Sequence, residues 1–280
     1  MNSYYCHFSV RNGAETIRPT LDSILNQTIK PKKIVVVQDG SIDETAKILD
    51  EYSNSNKGLF EIISTNNKTV DFSRLPKFWN MCLREGYDYQ FIIADDVVFP
   101  NDYCERLIHE MELDPQLVIA SGNYFNKIPN SDMTPSGAGR MIKESFFKNL
   151  GGRYYEKVGY ESWILFEALR IGHRIKNFKD LKFSHLKPLG RTHAFSEFAP
   201  SMRALGYDPL MVIGRCIRNL IYFHEMPRRS TIRVLIDYIK PLGNDGYISP
   251  YPEEFRKFVK QYQRARIRRF IRRYFLGMKT

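Results

Sequence analysis

No run in the 280 residues approaches the roughly 18 consecutive apolar side chains of a membrane-spanning helix. The opening MNSYYCHFSV also lacks a basic stretch followed by an apolar one. Both absences point to a protein that stays on the side of the membrane where it is made, in the cytoplasm. Cysteine is scarce. Cys6, Cys82, Cys104 and Cys216 are scattered, with no CxxC spacing, which argues against a disulfide framework or a zinc site and fits a reducing compartment. No glycine-rich phosphate loop follows the first apolar segment, which weighs against nucleotidyl transfer. Acidic residues are missing from 256–280, where ten Lys and Arg side chains fall. Taking those ten from the formal net charge of +11 leaves +1 for residues 1–255. A near-neutral body with a basic tail reads as an attachment device, whereas a chain basic throughout would point to nucleic acid.

What is present is an alternation of apolar segments. Tyr4 to Val10 reads as a first strand, followed by the polar turn Arg11-Asn12-Gly13 and a helix from about Thr16 through Leu25, with Pro19 tolerated in its first turn. Lys33 to Val37, rich in β-branched residues, is a second buried strand ending in Gln38-Asp39-Gly40. Ser41 and Glu44 form an S-x-x-E pattern, which predicts a helix capped directly after that turn. Leu59 to Ser64 is a third strand, and a helix carrying Phe78, Trp79 and Cys82 leads into FIIADDVVFP at 91–100. A helix over 102–112 and a strand over 117–120 follow; residues 123–139, rich in Asn, Ser, Pro and Gly, read as a loop beside the site. The alternation predicts an α/β fold with a doubly wound, mostly parallel sheet flanked by helices.

The chemistry gathers at strand ends. FIIADDVVFP drives an apolar strand, Phe91 to Ala94, into Asp95 and Asp96. Ligands of open α/β sheets bind at the carboxyl edge, where two hard oxygen ligands suit Mg2+ or Mn2+ bridging phosphates. The plainer alternative is that both acids cap a helix starting near Asn101. Asp39 occupies the same edge beside a helix start, with a simple turn residue as its plainer alternative. In GGRYYEKVGYESWILFEALRIGHRI, from Gly151, a glycine- and tyrosine-rich turn feeds a helix with Glu161 in its first turn, where the helix dipole favours an anion. His185 is a candidate metal or phosphate ligand and Arg191 a candidate phosphate fork.

Taken in order, these segments resemble the family 2 glycosyltransferases of the GT-A fold, over about residues 4–195. HFSVRNG resembles the family's first strand and polar turn, VVVQDGSIDET its nucleotide-binding turn, IIADDVVFP its metal-binding acidic motif and GYESWILFEALRIGH its acceptor-side helix. The helix around Lys77, Trp79 and Asn80 resembles the stretch between the third strand and the acidic motif. The resemblance implies a GT-A catalytic domain over residues 1–200, with a nucleotide-sugar half to about 122 and an acceptor half to 200, then a helical extension over 201–280. It implies an inverting, metal-dependent hexosyl- or N-acetylhexosaminyltransferase using a nucleotide-sugar donor, a UDP-sugar first among them. On that pattern Arg11, Asn12, Asp39, Lys77, Asp95 and Arg191 would bind the donor. Asp95, Asp96 and His185 would hold Mn2+ or Mg2+, and Glu161 would be the catalytic base. Two positions depart from the pattern: Ile93 stands at the first place of the usual Asp-x-Asp, and Glu161-Ser162 replaces the Glu-Asp that often opens the acceptor helix.

The tail, about 253–276, spaces Phe255, Phe258, Val259, Tyr262, Ile267, Phe270, Ile271 and Tyr274 mostly on one helical face, with arginines around them. Such a helix suits the interface of an anionic membrane leaflet, which would hold the protein peripherally on the cytoplasmic membrane face near a glycan or lipid-linked acceptor, a polyprenyl phosphate included. Its plainer alternative is that the stripe packs on the catalytic domain and the arginines are simply solvated. An inactive fold displaying an RNA-binding tail, with the aromatics stacked on bases, is a reading of another class. It leaves Asp39, Asp95 and Glu161 in register for no reason, so no nucleic-acid partner is expected.

Overall fold

The computed structural model describes residues 2–124, 134–187, 195–222, 226–240 and 248–275. The chain forms two compact units, Met1–Glu156 with Ile171–Pro188, and Lys157–Arg170 with Leu189–Thr280. These do not coincide with a division at residue 200. The first unit holds β1 (Tyr4–Val10), α1 (Ile17–Leu25), β2 (Lys33–Asp39), α2 (Thr45–Ser55), β3 (Phe60–Thr65), α3 (Leu75–Cys82), β4 (Tyr89–Ile92), β5 (Val97–Val98), α4 (Tyr103–Leu113), β6 (Leu117–Tyr124), β7 (Arg140–Lys143), α5 (Glu144–Asn149) and β8 (Arg174–His185). The second holds α6 (Tyr160–Arg170), α7 (Phe198–Ala204), α8 (Pro209–Tyr222), α9 (Arg228–Ile239) and α10 (Glu253–Phe275).

Period-two alternation along β1 explains the layering. Tyr4, Cys6 and Phe8 face one core with Ile17, Leu21 and Ile24 of α1 and Leu107 and Met111 of α4. Tyr5 faces the other with Val35, Val37 and the α3 residues Phe78 and Cys82. The sheet order is β3-β2-β1-β4-β7-β6-β8-β5. Strands β3, β2, β1 and β4 run parallel, as do β6 and β8. The doubly wound, mostly parallel sheet is therefore present, but β7 runs against β4 and β6, and β5 against the end of β8. The sequence pattern indicates neither reversed strand, nor the length of β8. The loop expected over 123–139 loses its first two residues to β6 and its last segment leads straight into β7; residues 125–133 lie outside the described residues. The apolar strand expected over Phe91 to Ala94 begins two residues earlier and stops at Ile92, which leaves Asp95 and Asp96 in a turn ahead of β5.

A buried polar group spans the sheet on the α3 side. Tyr5 donates to Glu144 Oε1 at 3.2 Å, Tyr154 donates to Gln90 Oε1 at 2.7 Å, and His7 Nε2 lies 3.3 Å from the same oxygen. Burial raises the Glu144 carboxyl from 4.5 to about 7 and lowers His7 from 6.5 to about 4. The signs oppose each other. A carboxyl raised in the folded state stabilises fully below about 4.5 and loses that contribution as pH rises through about 7; the depressed His7 contributes above about 6.5 and loses it as pH falls toward about 4. Glu144→Gln keeps the Tyr5 hydrogen bond and removes one slope. Thermal unfolding of this variant is expected to give a melting temperature that climbs with pH from 4 to 6.5 more steeply than in the parent chain, and lies above the parent at pH 8. Identical profiles would refute the assignment.

In the second unit, Phe195, Ala199, Met202, Val212, Cys216, Met226, Val234 and Tyr238 form the core of α7, α8 and α9. The first half of α10 belongs to this unit's interior. Phe255, Val259 and Gln263 are buried, Phe255 and Tyr262 pack their rings on Phe166, and Asp208 receives Arg264 Nε at 2.7 Å. The first eleven or so residues of the tail are therefore packed on other helices of this unit, since an apolar stripe at helical spacing buries itself where a complementary face exists. Phe270 and Ile271, further along, are exposed. No helix among the described residues is long and apolar enough to cross a membrane.

Candidate active site

Three loops meet at the carboxyl edge of β2, β1 and β4. In the loop after β1, Asn12 takes a left-handed backbone conformation (φ 52°), one that Asn tolerates better than most residues. Its N–H donates to Ser41 Oγ at 3.0 Å, and its Oδ1 accepts the Ile42 N–H at 2.9 Å. Gly13 N–H donates to Thr45 Oγ1 at 2.8 Å and Ala14 N–H to Asp43 Oδ2 at 3.1 Å. Ser41 is therefore spent on the β1 loop, and the expected Ser41–Glu44 capping box does not form. Helix α2 starts at Thr45, four residues past Ser41, and Asp43 accepts the Thr45 N–H at 3.1 Å. A β-carbon on Gly13 would lie 2.6 Å from Val10 Cγ2 and 3.0 Å from Asp95 Oδ2. Only glycine lets this loop pass so close to the acidic turn.

Asp39, at the end of β2, is buried, and both its carboxylate oxygens accept hydrogen bonds. Its Oδ1 accepts from Thr65 Oγ1 at 2.8 Å and from Asn67 Nδ2, and its Oδ2 accepts from Arg74 at 3.1 Å. Arg11 donates to the Asp39 carbonyl and, at 2.9 Å, to the Asn67 carbonyl; its guanidinium lies 3.7 Å from Asp39 Oδ2. Burial is the largest single influence and pushes the Asp39 carboxyl up. The hydrogen bonds from Asn67, Thr65 and Arg74 together outweigh it and hold the group below its ordinary range. Nothing in the sequence singles out Thr65, Asn67 and Arg74. They close or follow β3 in a polar stretch without periodicity, and only the parallel pairing of β2 with β3, which sets Asp39 beside Thr65, reveals them.

Asp95 and Asp96 follow β4. Burial first, and the neighbouring Asp96 second, raise the Asp95 carboxyl from 3.8 to about 6, against the pull of Lys187 and His185. Asp96 Oδ1 lies 3.0 Å from His185 Nδ1. A carboxylate can only accept, so this contact places a ring proton on Nδ1. The ring's Nε2 is buried and has no hydrogen-bond partner among the described residues. His185 is held there by the pairing of β8 with β5, where His185 stands opposite Val97. The structure thus brings Arg11, Asn12 and Asp39 into one cluster and Asp96 and His185 into contact, with Asp95 against the Gly13 loop. Lys77 is exposed on α3. Glu161 lies in the first turn of α6, in the second unit, and Arg191 lies outside the described residues. Among the described residues, no three or more His, Cys, Asp or Glu side chains form a group that could hold a metal ion by themselves.

The family model for glycosyl transferase family 2 matches residues 7–172, more than half of the chain. The chain belongs to glycosyl transferase family 2. Among curated proteins, glycosyltransferase GlyA of Streptococcus pneumoniae is 32% identical over 169 residues, covering 60% of this chain but 22% of that protein. A poly-beta-1,6-N-acetyl-D-glucosamine synthase of Staphylococcus epidermidis is 27% identical over 117 residues, covering 40% of this chain and 26% of that protein. This family 2 chain therefore spans about a quarter or less of these relatives. Among solved structures, the mannosyltransferase PcManGT of Pyrobaculum calidifontis, in complex with GDP-Man and Mn2+, superposes with a TM-score of 0.59 at 16% identity, covering 98% of this chain and 88% of that one. Residues 1–349 of Staphylococcus aureus TarS, in complex with UDP-GlcNAc, give a TM-score of 0.58 at 14% identity, covering 92% and 78%. At such identities these two show a shared GT-A fold.

Proposed function

We propose that the chain transfers a sugar from a nucleotide-diphosphate donor to an acceptor hydroxyl with inversion, the acceptor being a lipid-linked or membrane-presented glycan. The observation that carries this reading is the convergence of the Asp39 cluster and the Asp95–Asp96 turn, through the Gly13 loop, at one sheet edge. A UDP-sugar is the first donor to test, because TarS of the same fold is in complex with UDP-GlcNAc. Asp39, braced by Arg11, Arg74 and Asn67, would meet the base edge of the nucleotide. The residues at the acidic turn fit a divalent cation, Mn2+ or Mg2+. Asp95 and Asp96 set two carboxyl groups side by side, and His185 Nε2 is buried with no hydrogen-bond partner among the described residues. Asp95 and His185 would hold the ion, and Asp96 would orient the imidazole from behind. Such ions commonly take one or two protein ligands and complete their shell with phosphates and water, so a three-ligand protein cage is not required. When bound, the ion would neutralise the charge growing on the leaving diphosphate. Glu161 would accept the proton of the attacking hydroxyl as the new bond forms on the face opposite the leaving group.

A screen of nucleotide sugars for Mn2+-dependent thermal stabilisation and hydrolysis tests the reading. No stabilisation by any donor would refute it. Asp39→Ala is expected to raise the donor KM about tenfold with a smaller loss of kcat, because a base-edge contact binds ground and transition states alike. Loss of kcat at constant KM would remove Asp39 from the donor site.

A further inference from the structure

Helix α8 buries one face and exposes the other. Val212, Cys216 and Asn219, spaced i, i+4, i+7, enter the core of the second unit. Leu210, Ile217 and Ile221, spaced i, i+7, i+11, lie on the opposite side and are 65%, 50% and 60% exposed. On α9, Thr231, Val234 and Tyr238 are buried, while Ile232, Ile236 and Ile239 are about half exposed. The two helices are clamped by Asn219, whose Nδ2 donates to the Met226 carbonyl at 2.8 Å and to Thr231, and whose Oδ1 accepts the Met226 N–H at 3.3 Å. Six large aliphatic side chains on two clamped helices exceed the scattered single residues of an ordinary surface. The surroundings are basic: residues 209–240 hold six Lys and Arg against two acids. Arg229, Arg233 and Lys240 are exposed beside the α9 stripe.

We infer that this α8–α9 face docks in the interface of an anionic lipid bilayer, with the isoleucines entering the acyl boundary and Arg229, Arg233 and Lys240 meeting the headgroups. Two features select this occupant. Aliphatic side chains bordered by long cations match the split between acyl chains and anionic headgroups. A second copy of the chain would set this basic surface against itself, and like charges at an interface are unfavourable. The aromatic stripe of the tail cannot take this part over its first half, because Phe255 and Val259 are already buried. The inference rests on the second unit alone and touches the transferase reading only in bringing the protein to a membrane-presented acceptor.

The test is flotation of the full chain with vesicles of phosphatidylglycerol and phosphatidylcholine, and of phosphatidylcholine alone. The protein is expected to float with the anionic vesicles only. The pair Ile217→Asp and Ile236→Asp, both at exposed positions, should lower the partition coefficient at least about tenfold, while Arg229→Glu with Arg233→Glu should remove the part that salt weakens. An unchanged partition in the isoleucine pair overturns the inference. So does a dimer in solution that this pair converts to monomer, or equal binding to neutral vesicles. Should the isoleucine pair fail to fold, a fluorophore at Ile221→Cys gives an independent reading, since all four native cysteines are buried. It should shift to the blue on adding anionic vesicles, and the same label at Lys57→Cys should not; no shift at position 221 also overturns the inference. Hydrolysis of a soluble UDP-sugar, measured without vesicles, reads the transferase proposal separately and should not change in the isoleucine pair.

Discussion

Asp95→Asn is expected to lower the transfer rate by at least about 10²–10³-fold and to abolish metal-dependent binding of the nucleoside diphosphate. The magnitude is that of removing one charge-stabilising group from a reacting centre. The substitution keeps the shape of the side chain and removes only the charge that would hold the cation. Its effect on stability should have the opposite sign. Burial and the adjacent Asp96 raise the Asp95 carboxyl to about 6, so ionised Asp95 costs the folded state stability as pH rises through that value. At neutral pH the Asn variant should melt at or above the temperature of the parent chain. Loss of activity with preserved or gained stability is the signature of a charge kept for function. Metal-dependent donor binding that survives unchanged, measured by calorimetry with UDP and Mn2+, would remove Asp95 from this role.

Much of this geometry is legible in the amino-acid order, for reasons that differ by element. The buried strands β1, β2 and β4 declare themselves as apolar runs ending in polar turns, which places Asp39 and Asp95 at the carboxyl edge. The helix α6 with Glu161 in its first turn announces itself by the glycine-rich segment before it and Gly172 after it. What the sequence hides depends on pairing between distant segments. Strand β7 is four residues long, and only its place between β4 and β6 makes Met141 and Ile142 core residues. The bond from His185 to Asp96 crosses 89 positions and exists because β8 reaches β5.

The Ser41–Glu44 spacing shows how a sound local signal loses. A capping box competes for the same hydroxyl with any backbone donor that tertiary structure brings close. Here the left-handed turn at Asn12 delivers its N–H to Ser41, and Asp43 takes over the helix start. The tail shows the reverse. Its aromatic spacing signals an apolar face correctly, but spacing cannot say whether protein or lipid covers that face. The partner is Phe166, on a helix about ninety residues earlier.

Glu161→Gln is expected to lower kcat by about 10²–10⁴-fold while the donor KM stays within about twofold. An acceptor hydroxyl is a weak nucleophile until its proton is taken up, and a group with a carboxylate's basicity suffices when the leaving group is already stabilised. Glu161 is the one acid in the first turn of α6, the position after it being Ser162. Glutamine preserves size and hydrogen bonding but cannot accept a proton, so binding and folding should be spared while the chemical step fails. One control separates a base from a scaffold. Glu161→Asp, which keeps the carboxylate on a shorter stem, should recover part of the lost rate. A glutamine variant within about tenfold of the parent kcat would assign the base to another residue.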